Sequence, residues 1–394
     1  MPKKILIITP RFPIPTDGAC EQDRLAGILQ LKRLGFKVRV ISKVFDWQNQ
    51  EEILNWGREN DIIIDLIPYE KKSFIQKILQ LINPINWDGA AYEYRIKNTQ
   101  HTVKKVMNEF QPDVAWFDYT YLYPLYHLFQ EKNIPIITRS INVEPSHFLQ
   151  EDGASILNLI KYFPKWYSEM QTIKKSNYVF AITPEEQVVY KKLRAKNVDT
   201  LALRSLPKLV KQNREIQERD VLHLFFMGAG YNVNHNRKAA ELIIKHVAPE
   251  LEKQKPGKFV FHILGKKLPQ DLSKLCKGNV IEEGFVDDLD SFLQKMDIAV
   301  IPSLMGAGMQ QKIFEPLVYG IPSVVSGRGL AGYPYKDGEH ALFASEKDEF
   351  VEQILKLQDI DKRRKLSKNA LQLSKDLFSQ EGLDQIITKG LNLI

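Results

Sequence analysis

Apolar and polar positions along the chain alternate between two periods. Short, nearly continuous apolar runs have the length of buried strands. In the first half of the chain they lie at residues 4–9, 37–42, 61–67, 114–117, 134–139 and 178–182. We take the run at 178–182 as the final strand of this half. Amphipathic stretches with helical spacing separate them, for example residues 22–34 and 102–110. Strands that alternate with helices form a parallel sheet covered on both faces, so the first half predicts a Rossmann-like domain.

The alternation stops at residues 207–220, which are charged and lack a strand pattern, and we place a hinge there. It then resumes with a predicted helix at 237–252 and strands at 221–227, 258–264, 279–282, 298–302 and 323–326. The chain is therefore predicted to be α/β, with two Rossmann-like doubly wound domains, residues 1–206 and 221–379, facing across a cleft. The last helix, at 383–393, has no strand after it, and we expect residues 380–394 to pack on the first domain.

Composition and charge narrow the class of protein. A hydrophobic fraction of 44% with 26% charged residues is typical of a soluble globular protein, and no apolar run is long enough to span a membrane. The net charge of +7 favours anionic partners, but it is dispersed and no nucleic-acid-binding motif accompanies it, so nucleic acid is not an expected partner. Cys20 and Cys276 are too few and too far apart for a disulfide framework or metal site, which favours a cytoplasmic location.

Residues 306–322 carry the strongest chemical signal. After the predicted strand at 298–302 come Gly306 and Gly308, then Lys312 and Glu315 at the start of a probable helix. A helix N-terminus and a cation bind phosphate, and a carboxylate accepts hydrogen bonds from vicinal hydroxyls. The segment therefore predicts a site for a ligand that carries both phosphates and sugar hydroxyls.

Each of these residues also has a purely structural explanation. The glycines can serve a turn with positive φ, Glu315 can complement the helix dipole, and Lys312 can be solvated. On the functional interpretation, the backbone N–H groups of Met309, Gln310 and Gln311 face the phosphates. That interpretation requires Lys312 and Glu315 to be accessible rather than sealed in the core.

Two further glycine segments are candidates for the same ligand. Gly228 and Gly230 follow a predicted strand, so the backbone there can approach a phosphate closely. In the first half, Asp17 and Gly18 lie in the loop after the first strand and can approach the diphosphate from the other domain, although an ordinary turn explains them equally well.

Metal binding and histidine catalysis have weaker signals. The Asp288-Leu-Asp290 triplet has the spacing of a divalent-metal motif, but it precedes an amphipathic stretch, where aspartate caps a helix. We therefore expect helix capping and no metal. His235, His262 and His340 are isolated along the chain and are interpreted as surface or packing residues, and Arg328 is a minor candidate for the site.

Residues 71–87 are basic and apolar in helical register and end in Trp87. Such a segment can lie on an anionic membrane, where a lipid-linked acceptor is found, or it can pack as an ordinary helix on the first sheet. The sequence leaves both alternatives open.

Several segments together resemble a known family. The chain is similar to the group 1 nucleotide-sugar glycosyltransferases of GT-B architecture over roughly residues 221–380, through FMGAGYNVNHNRKAAELIIKHVAPEL, EEGFVDDLDSFLQKMDIAVIPS and MGAGMQQKIFEPLVYGIPSVVS. In the first half, ITPRFPIPTDGACEQDR, RSINVEPSHF and NYVFAITPEEQ also have family counterparts. Their occurrence in the same order is what makes the resemblance specific.

The resemblance implies a retaining enzyme that moves a hexose from a nucleoside-diphosphate sugar to an acceptor hydroxyl, without a metal, in polysaccharide or glycolipid assembly. It places Glu315 on the ribose, and Lys312 with the loop at 306–311 on the diphosphate. The acceptor, whether a saccharide, a lipid-linked sugar or a protein, is expected against Asp17, Gly18 and residues 118–123.

The chain also departs from the family pattern. Ala307 stands where the wider family has its first glutamate, and Ile141 where many relatives have histidine. A sugar-nucleotide epimerase or a non-catalytic binding protein of the same fold therefore stays open. A Rossmann dehydrogenase would need Gly-x-Gly-x-x-Gly after the first strand, where this chain is instead rich in proline.

Overall fold

A computed structural model describes residues 3–16, 18–306 and 308–394, with only the backbone of Leu79. The chain divides into two compact units. One contains the residues up to Ser205 together with Leu383–Ile394, and the other is Leu206–Gly382.

The first unit is built on a parallel sheet. Among its described residues, seven strands follow the order β3-β2-β1-β4-β5-β6-β7. They are β1 (Lys4–Thr9), β2 (Lys37–Val44), β3 (Ile63–Pro68), β4 (Val114–Phe117), β5 (Ile136–Arg139), β6 (Tyr178–Ala181) and β7 (Val198–Thr200). The central strands β1 and β4 to β6 are buried along nearly their whole length because helices cover both faces of such a sheet.

The helices of this unit connect successive strands. They are α1 (Ala19–Arg33), α2 (Gln50–Glu59), α3 (Phe74–Ile82), α4 (Gly89–Tyr92), α5 (Lys97–Phe110), α6 (Tyr126–Gln130), α7 (Glu144–Asp152), α8 (Ile156–Lys175) and α9 (Pro184–Lys192). The strand order reverses direction between β1 and β4, so the loops after these two strands adjoin the topological switch point.

The second unit repeats this plan. Its described residues form a six-stranded parallel sheet in the order β10-β9-β8-β11-β12-β13. The strands are β8 (Leu222–Gly230), β9 (Phe259–Lys266), β10 (Val280–Gly284), β11 (Ile298–Ile301), β12 (Ser323–Val325) and β13 (Leu342–Phe343). Here the order reverses between β8 and β11, so the switch point lies where these two strands end.

The helices of the second unit follow its strands. They are α10 (Asn234–Leu242), α11 (Ala248–Gln254), α12 (Gln270–Ser273), α13 (Leu289–Gln294), α14 (Gln311–Val318), α15 (Lys347–Lys356) and α16 (Ile360–Phe378), with a π-helical segment, Ile243–Val247, between α10 and α11. The last helix of the chain, α17 (Gln380–Asn392), returns to the first unit. There Arg33 of α1 donates to both carboxylate oxygens of Asp384, at 2.6 and 2.7 Å.

The structure confirms two Rossmann-like domains and corrects several details. Residues 178–182 do not hold the final strand of the first half, because β7 pairs beyond β6; it was missed because it is only three residues long. Residues 207–220, predicted as a hinge, bond to the second unit: Lys211 N donates to Val318 O at 2.9 Å, and Arg214 Nη2 to Leu293 O at 3.0 Å. None of the helices in the described ranges is both long and apolar enough to cross a membrane.

Candidate active site

Loop 302–310 and the start of helix α14 form one side of the second unit's switch point. Gln310 is the residue before the helix, and its side chain ties the loop to the end of β11. The Ser303 hydroxyl donates to Gln310 Oε1 at 2.5 Å, and Gln310 Nε2 donates to Met305 O at 3.1 Å. The described residues of this loop form neither helix nor strand, so these bonds fix the N-terminus of α14 in position.

The two glycines of this loop adopt backbone conformations that other residues avoid. Gly306 has φ of 97° and Gly308 has φ of 69°. The carbonyl of Gly306 accepts a hydrogen bond from Arg328 Nη1 at 3.3 Å, so Arg328 contacts the loop itself. A conformational requirement for glycine is therefore present here, and it is compatible with a loop that cradles a phosphate. Ala307, at the position of the family's first glutamate, lies outside the described residues.

Lys312 joins three elements at the switch point. Its Nζ donates to Asn236 Oδ1 on α10 at 2.6 Å, and Asn236 Nδ2 donates to the carbonyl of Gly230 at the end of β8, at 3.0 Å. Asn236 is buried, whereas Lys312 remains partly exposed, with its ammonium 5.7 Å from the centre of the Phe226 ring. The cation is thus held beside the ends of the central strands while it keeps access to solvent.

Gly228 and Gly230 do not form a loop after the strand, as the sequence suggests, but belong to β8. The pairing with β9 shifts register between Met227 and Gly230, and the ring of Tyr231 packs over Gly228 so closely that a Cβ there would lie 3.0 Å from it. The Tyr231 hydroxyl donates to Leu264 O at 2.6 Å, which fixes the ring. Close packing explains Gly228, and Gly230 contributes its carbonyl to Asn236.

Glu315 lies within α14, one turn after Gln311. Gln311 Nε2 donates to Glu315 Oε2 at 3.1 Å, and burial raises the pKa of this carboxyl against the opposing effect of the Lys208 ammonium. Only 6% of the residue is exposed, so Glu315 is less accessible than the sequence interpretation requires. A carboxylate held in such a place is a strong acceptor for any hydroxyl that reaches it, because little water competes.

The side chains beside Lys312 have structural roles. Met309 is buried, and the amides of Gln310 and Gln311 are used within the loop and the helix as described above. Contact between the backbone N–H groups of residues 309–311 and a phosphate stays a prediction.

In the first unit, the candidates adjoin the β1/β4 switch point. Gly18 precedes α1, and its carbonyl accepts from Gln22 N at 3.0 Å, while Asp17 lies outside the described residues. Asp118, at the start of the predicted acceptor segment, is buried; it accepts from Trp116 Nε1 at 2.9 Å and lies 3.6 Å from Arg204 Nη2. Its carboxylate is therefore engaged within the protein.

Asp288 behaves as the helix cap that the pattern favours: its carboxylate accepts from Ser291 N at 3.1 Å, and Asp290 pairs with Lys211. Within the described part of the chain, no group of three or more His, Cys, Asp or Glu side chains is placed to hold a metal. His262 is a buried packing residue, as expected, although it is isolated only along the chain and not in the fold. Its Nε2 lies 2.9 Å from His223 Nδ1 and its Nδ1 2.7 Å from Glu283 Oε1, because strands β8, β9 and β10 bring these distant residues together.

Sequence reasoning missed Asn236, the residue that connects Lys312 to β8. The signal available was a polar residue in the first turn of the helix that follows the glycine-bearing strand. Its partner lies 76 residues away along the chain. Only the pairing of β8 with β11 brings the two together.

Comparisons with known proteins agree with this architecture. A family model described as "Glycosyl transferases group 1" matches residues 221–359. HepE from Anabaena, solved with UDP and glucose, has 14% identity and a TM-score of 0.68, with 100% of both chains covered. Sucrose-phosphate synthase from Thermosynechococcus elongatus has 14% identity and a TM-score of 0.69, with 98% of each chain covered. A mutant of TarM from S. aureus, solved in a complex that includes UDP, has 12% identity and a TM-score of 0.69, with 99% of each covered.

No curated protein sequence matches the chain. The solved structures are less than 25% identical and therefore establish the fold, whereas the family model identifies the domain that holds the Lys312 site. The chain has the two-domain Rossmann-like fold of GT-B glycosyltransferases, and its residues 221–359 match the model of the glycosyl transferases group 1 family.

Proposed function

We propose that this protein transfers a hexose from a nucleoside-diphosphate sugar to an acceptor hydroxyl, with the donor bound at the β8/β11 switch point. The observation that carries the proposal is the hydrogen-bonded series from Lys312 through Asn236 to Gly230. It places a cation beside the N-terminus of α14 and the ends of two central strands, in a domain that matches the group 1 family.

The proposed catalysis is electrostatic stabilisation of the leaving diphosphate. As the bond between sugar and diphosphate breaks, negative charge grows on the leaving phosphate. A fixed ammonium at Lys312 and the positive end of the α14 dipole stabilise that charge without reorganising. Glu315 then serves as acceptor for the ribose hydroxyls. Donor binding must open a path to this carboxylate, since it is buried without ligand.

Uracil is the base we propose first. HepE was solved with UDP and with UDP-glucose, and TarM with UDP. At 14% and 12% identity these structures share only the fold with this chain, so we propose UDP-sugars as the first donors to test. The proposed acceptor is a saccharide, a lipid-linked sugar or a protein, contacted through the loops after β1 and β4, which include Asp17 and Gly18.

Three finer points belong to the same proposal. The reaction retains the configuration of the transferred sugar and needs no metal. Its product enters cell-surface or extracellular polysaccharide, or a glycolipid. The protein works in the cytoplasm, with a peripheral contact between residues 71–87 and an anionic membrane.

The test is a panel of nucleoside-diphosphate sugars, with binding measured by calorimetry and turnover by UDP release with and without acceptor. We expect one UDP-sugar to bind, UDP release that depends on acceptor, and loss of that release in Lys312→Ala. Lys347→Ala is the matched control, because Lys347 is exposed on α15. Binding without turnover on every acceptor would favour a non-catalytic protein, and a change in the sugar without UDP release would favour an epimerase.

A further inference from the structure

Helix α3 presents its apolar face to solvent. Phe74, Ile75, Ile78, Leu81 and Ile82 recur on one side of the helix and are all exposed, with Phe74 at 78% and Ile82 at 72%. A helix packed on a protein core shows the opposite arrangement, with its apolar stripe inward. This face therefore has no partner within the described chain.

The polar side of α3 faces the protein instead. Gln76 and Gln80 are half-buried, the Tyr92 hydroxyl donates to Gln76 O at 3.1 Å, and Lys72 Nζ donates to Gln80 Oε1 at 3.1 Å. A capping box between Ser73 and Gln76 begins the helix. The outward direction of the apolar face is thus set by specific hydrogen bonds on the other face.

The first half of helix α8 has the same arrangement, which the sequence analysis did not anticipate. Its stripe has helical spacing, and Ile156 is 81% and Phe163 71% exposed; the other exposed members are Leu157, Leu159, Ile160 and Tyr167. Next to this stripe Pro164 and Ser168 are buried, and Ser168 Oγ donates to Asp88 Oδ2 at 2.6 Å.

The 3-10 turn Pro84–Trp87 contacts both helices and places the two stripes in one region of the first unit. Trp87 Nε1 donates to Leu81 O at 3.0 Å, which joins the turn to the end of α3. Together α3, this turn and residues 156–168 of α8 form what we call the apolar platform. It holds half of the large apolar side chains that the described chain exposes.

The charged residues on the platform indicate what kind of partner it binds. Residues 71–87 and 153–168 contain five lysines and no aspartate or glutamate. Lys165 is paired with Glu144 at 3.1 Å and Lys72 is hydrogen bonded to Gln80, but Lys71, Lys77 and Lys161 are exposed. Aliphatic and aromatic residues bordered by lysine suit an anionic lipid surface, because the apolar side chains enter the acyl boundary and the ammonium groups meet the headgroups.

We propose that the apolar platform docks on an anionic lipid bilayer, with both helices lying in the interface. This deepens the peripheral contact suggested for residues 71–87, adds α8 to it, and rests on the proposed function only for its biological purpose. A platform bound in this way would bring the enzyme to acceptors that are themselves lipid-linked.

The experiment uses the full chain and sedimentation with phosphatidylcholine vesicles, with and without phosphatidylglycerol, in the absence of any sugar nucleotide. We expect binding that requires phosphatidylglycerol. It should fall at least about tenfold in Phe74→Ser with Ile82→Ser, and equally in Ile156→Ser with Phe163→Ser. Val188→Ser is the control, because Val188 is also exposed on a helix of the first unit.

Charge is tested separately. Lys77→Glu with Lys161→Glu should lower binding to anionic vesicles about tenfold or more, whereas Lys104→Glu, an exposed lysine on α5, should leave it unchanged. Circular dichroism and melting show that each variant is folded. UDP release with a soluble acceptor separates loss of docking from loss of catalysis.

Three outcomes overturn the proposal. The first is wild-type protein that stays in solution with both vesicle types, and the second is vesicle binding that the platform variants leave intact. The third is a dimer in light scattering that the same serine variants dissociate, which would make a second copy of the chain the occupant.

Discussion

At the scale of single residues, the candidate site depends on buried polar side chains that a core would ordinarily exclude. Asn236 uses both ends of its amide, one toward Lys312 and one toward Gly230. Glu315 is buried and its pKa is raised, so keeping its carboxylate ionised in the unliganded protein lowers stability. Polar groups of this kind mark a site more reliably than exposed charges do.

Lys312→Ala should lower kcat by about 10²–10³, because it removes a fixed positive charge from the place where the leaving group becomes negative. Asn236→Ala should lower kcat by about tenfold with a smaller change in KM, because Lys312 remains but loses its orientation. Steady-state kinetics with the donor that the nucleotide-sugar panel selects measure both. Asn234→Ala, an exposed asparagine two residues earlier on α10, should behave as wild type; equal losses in both asparagine variants would contradict the role given to Asn236.

Glu315→Gln should weaken donor binding about 10- to 100-fold, since a hydrogen bond to a charged acceptor is worth roughly 1.5–3 kcal/mol. The same variant should be at least as stable as wild type at pH 8, because the folded state no longer buries a carboxylate whose pKa is raised. Calorimetry and thermal melting give the two quantities. Glu352→Gln on the exposed side of α15 is the control. Unchanged affinity would mean that Glu315 does not contact the donor.

At the scale of elements, loop 302–310 positions α14, and its glycines permit backbone angles that a Cβ disfavours. Gly306 and Gly308 have positive φ, and Ser303 and Gln310 hydrogen bond across the loop. Because the loop begins where β11 ends, its backbone conformation affects the switch point more directly than it affects the body of α14.

Gly308→Ala should cost about 1 kcal/mol of unfolding free energy and also weaken donor binding, because the backbone must leave its left-handed conformation. Gly338→Ala is a matched control: its φ is 71°, and a Cβ there meets no atom within 4 Å. Denaturant unfolding should show similar losses for both variants, whereas calorimetry should show weaker binding only for Gly308→Ala. Wild-type affinity in Gly308→Ala would make this glycine a structural residue alone.

At the scale of the whole molecule, each unit carries its own parallel sheet and its own switch point. The first unit also buries carboxyl groups, and one of them, Glu169, accepts from the Thr120 hydroxyl in the proposed acceptor segment at 3.0 Å. Burial raises the pKa of Glu169 to about 7 and that of Glu186 to about 8. Glu169 accepts from the Tyr190 hydroxyl at 2.5 Å, and Glu186 accepts from Val143 N at 3.1 Å.

These carboxyls predict a stability that depends on pH. Their pKa values in the folded state lie above the ordinary value of 4.5, so their favourable contribution is complete below that value and is lost as pH rises through 7 and 8. Melting temperature should therefore fall from pH 6 to pH 9. Glu186→Gln keeps an oxygen for Val143 N and should reduce the accompanying loss of unfolding free energy between pH 6 and pH 9 by at most about 3 kcal/mol. Glu185→Gln, on the exposed neighbour, should leave the profile unchanged; a flat wild-type profile would refute the prediction.

Local pattern was sufficient for most strands and helices and for the two-domain α/β plan, because buried parallel strands are nearly continuous apolar runs and glycines mark the loops between them. The same local pattern pointed to Lys312 and the glycine loop. Strand pairing, which no local pattern encodes, brought Asn236 to Lys312 and His223 to His262. Packing also decided that β8 continues through Gly230 and that the apolar stripes of α3 and α8 face outward. A periodic stripe has the same spacing whether it faces a core or solvent, so only the tertiary structure could distinguish the two.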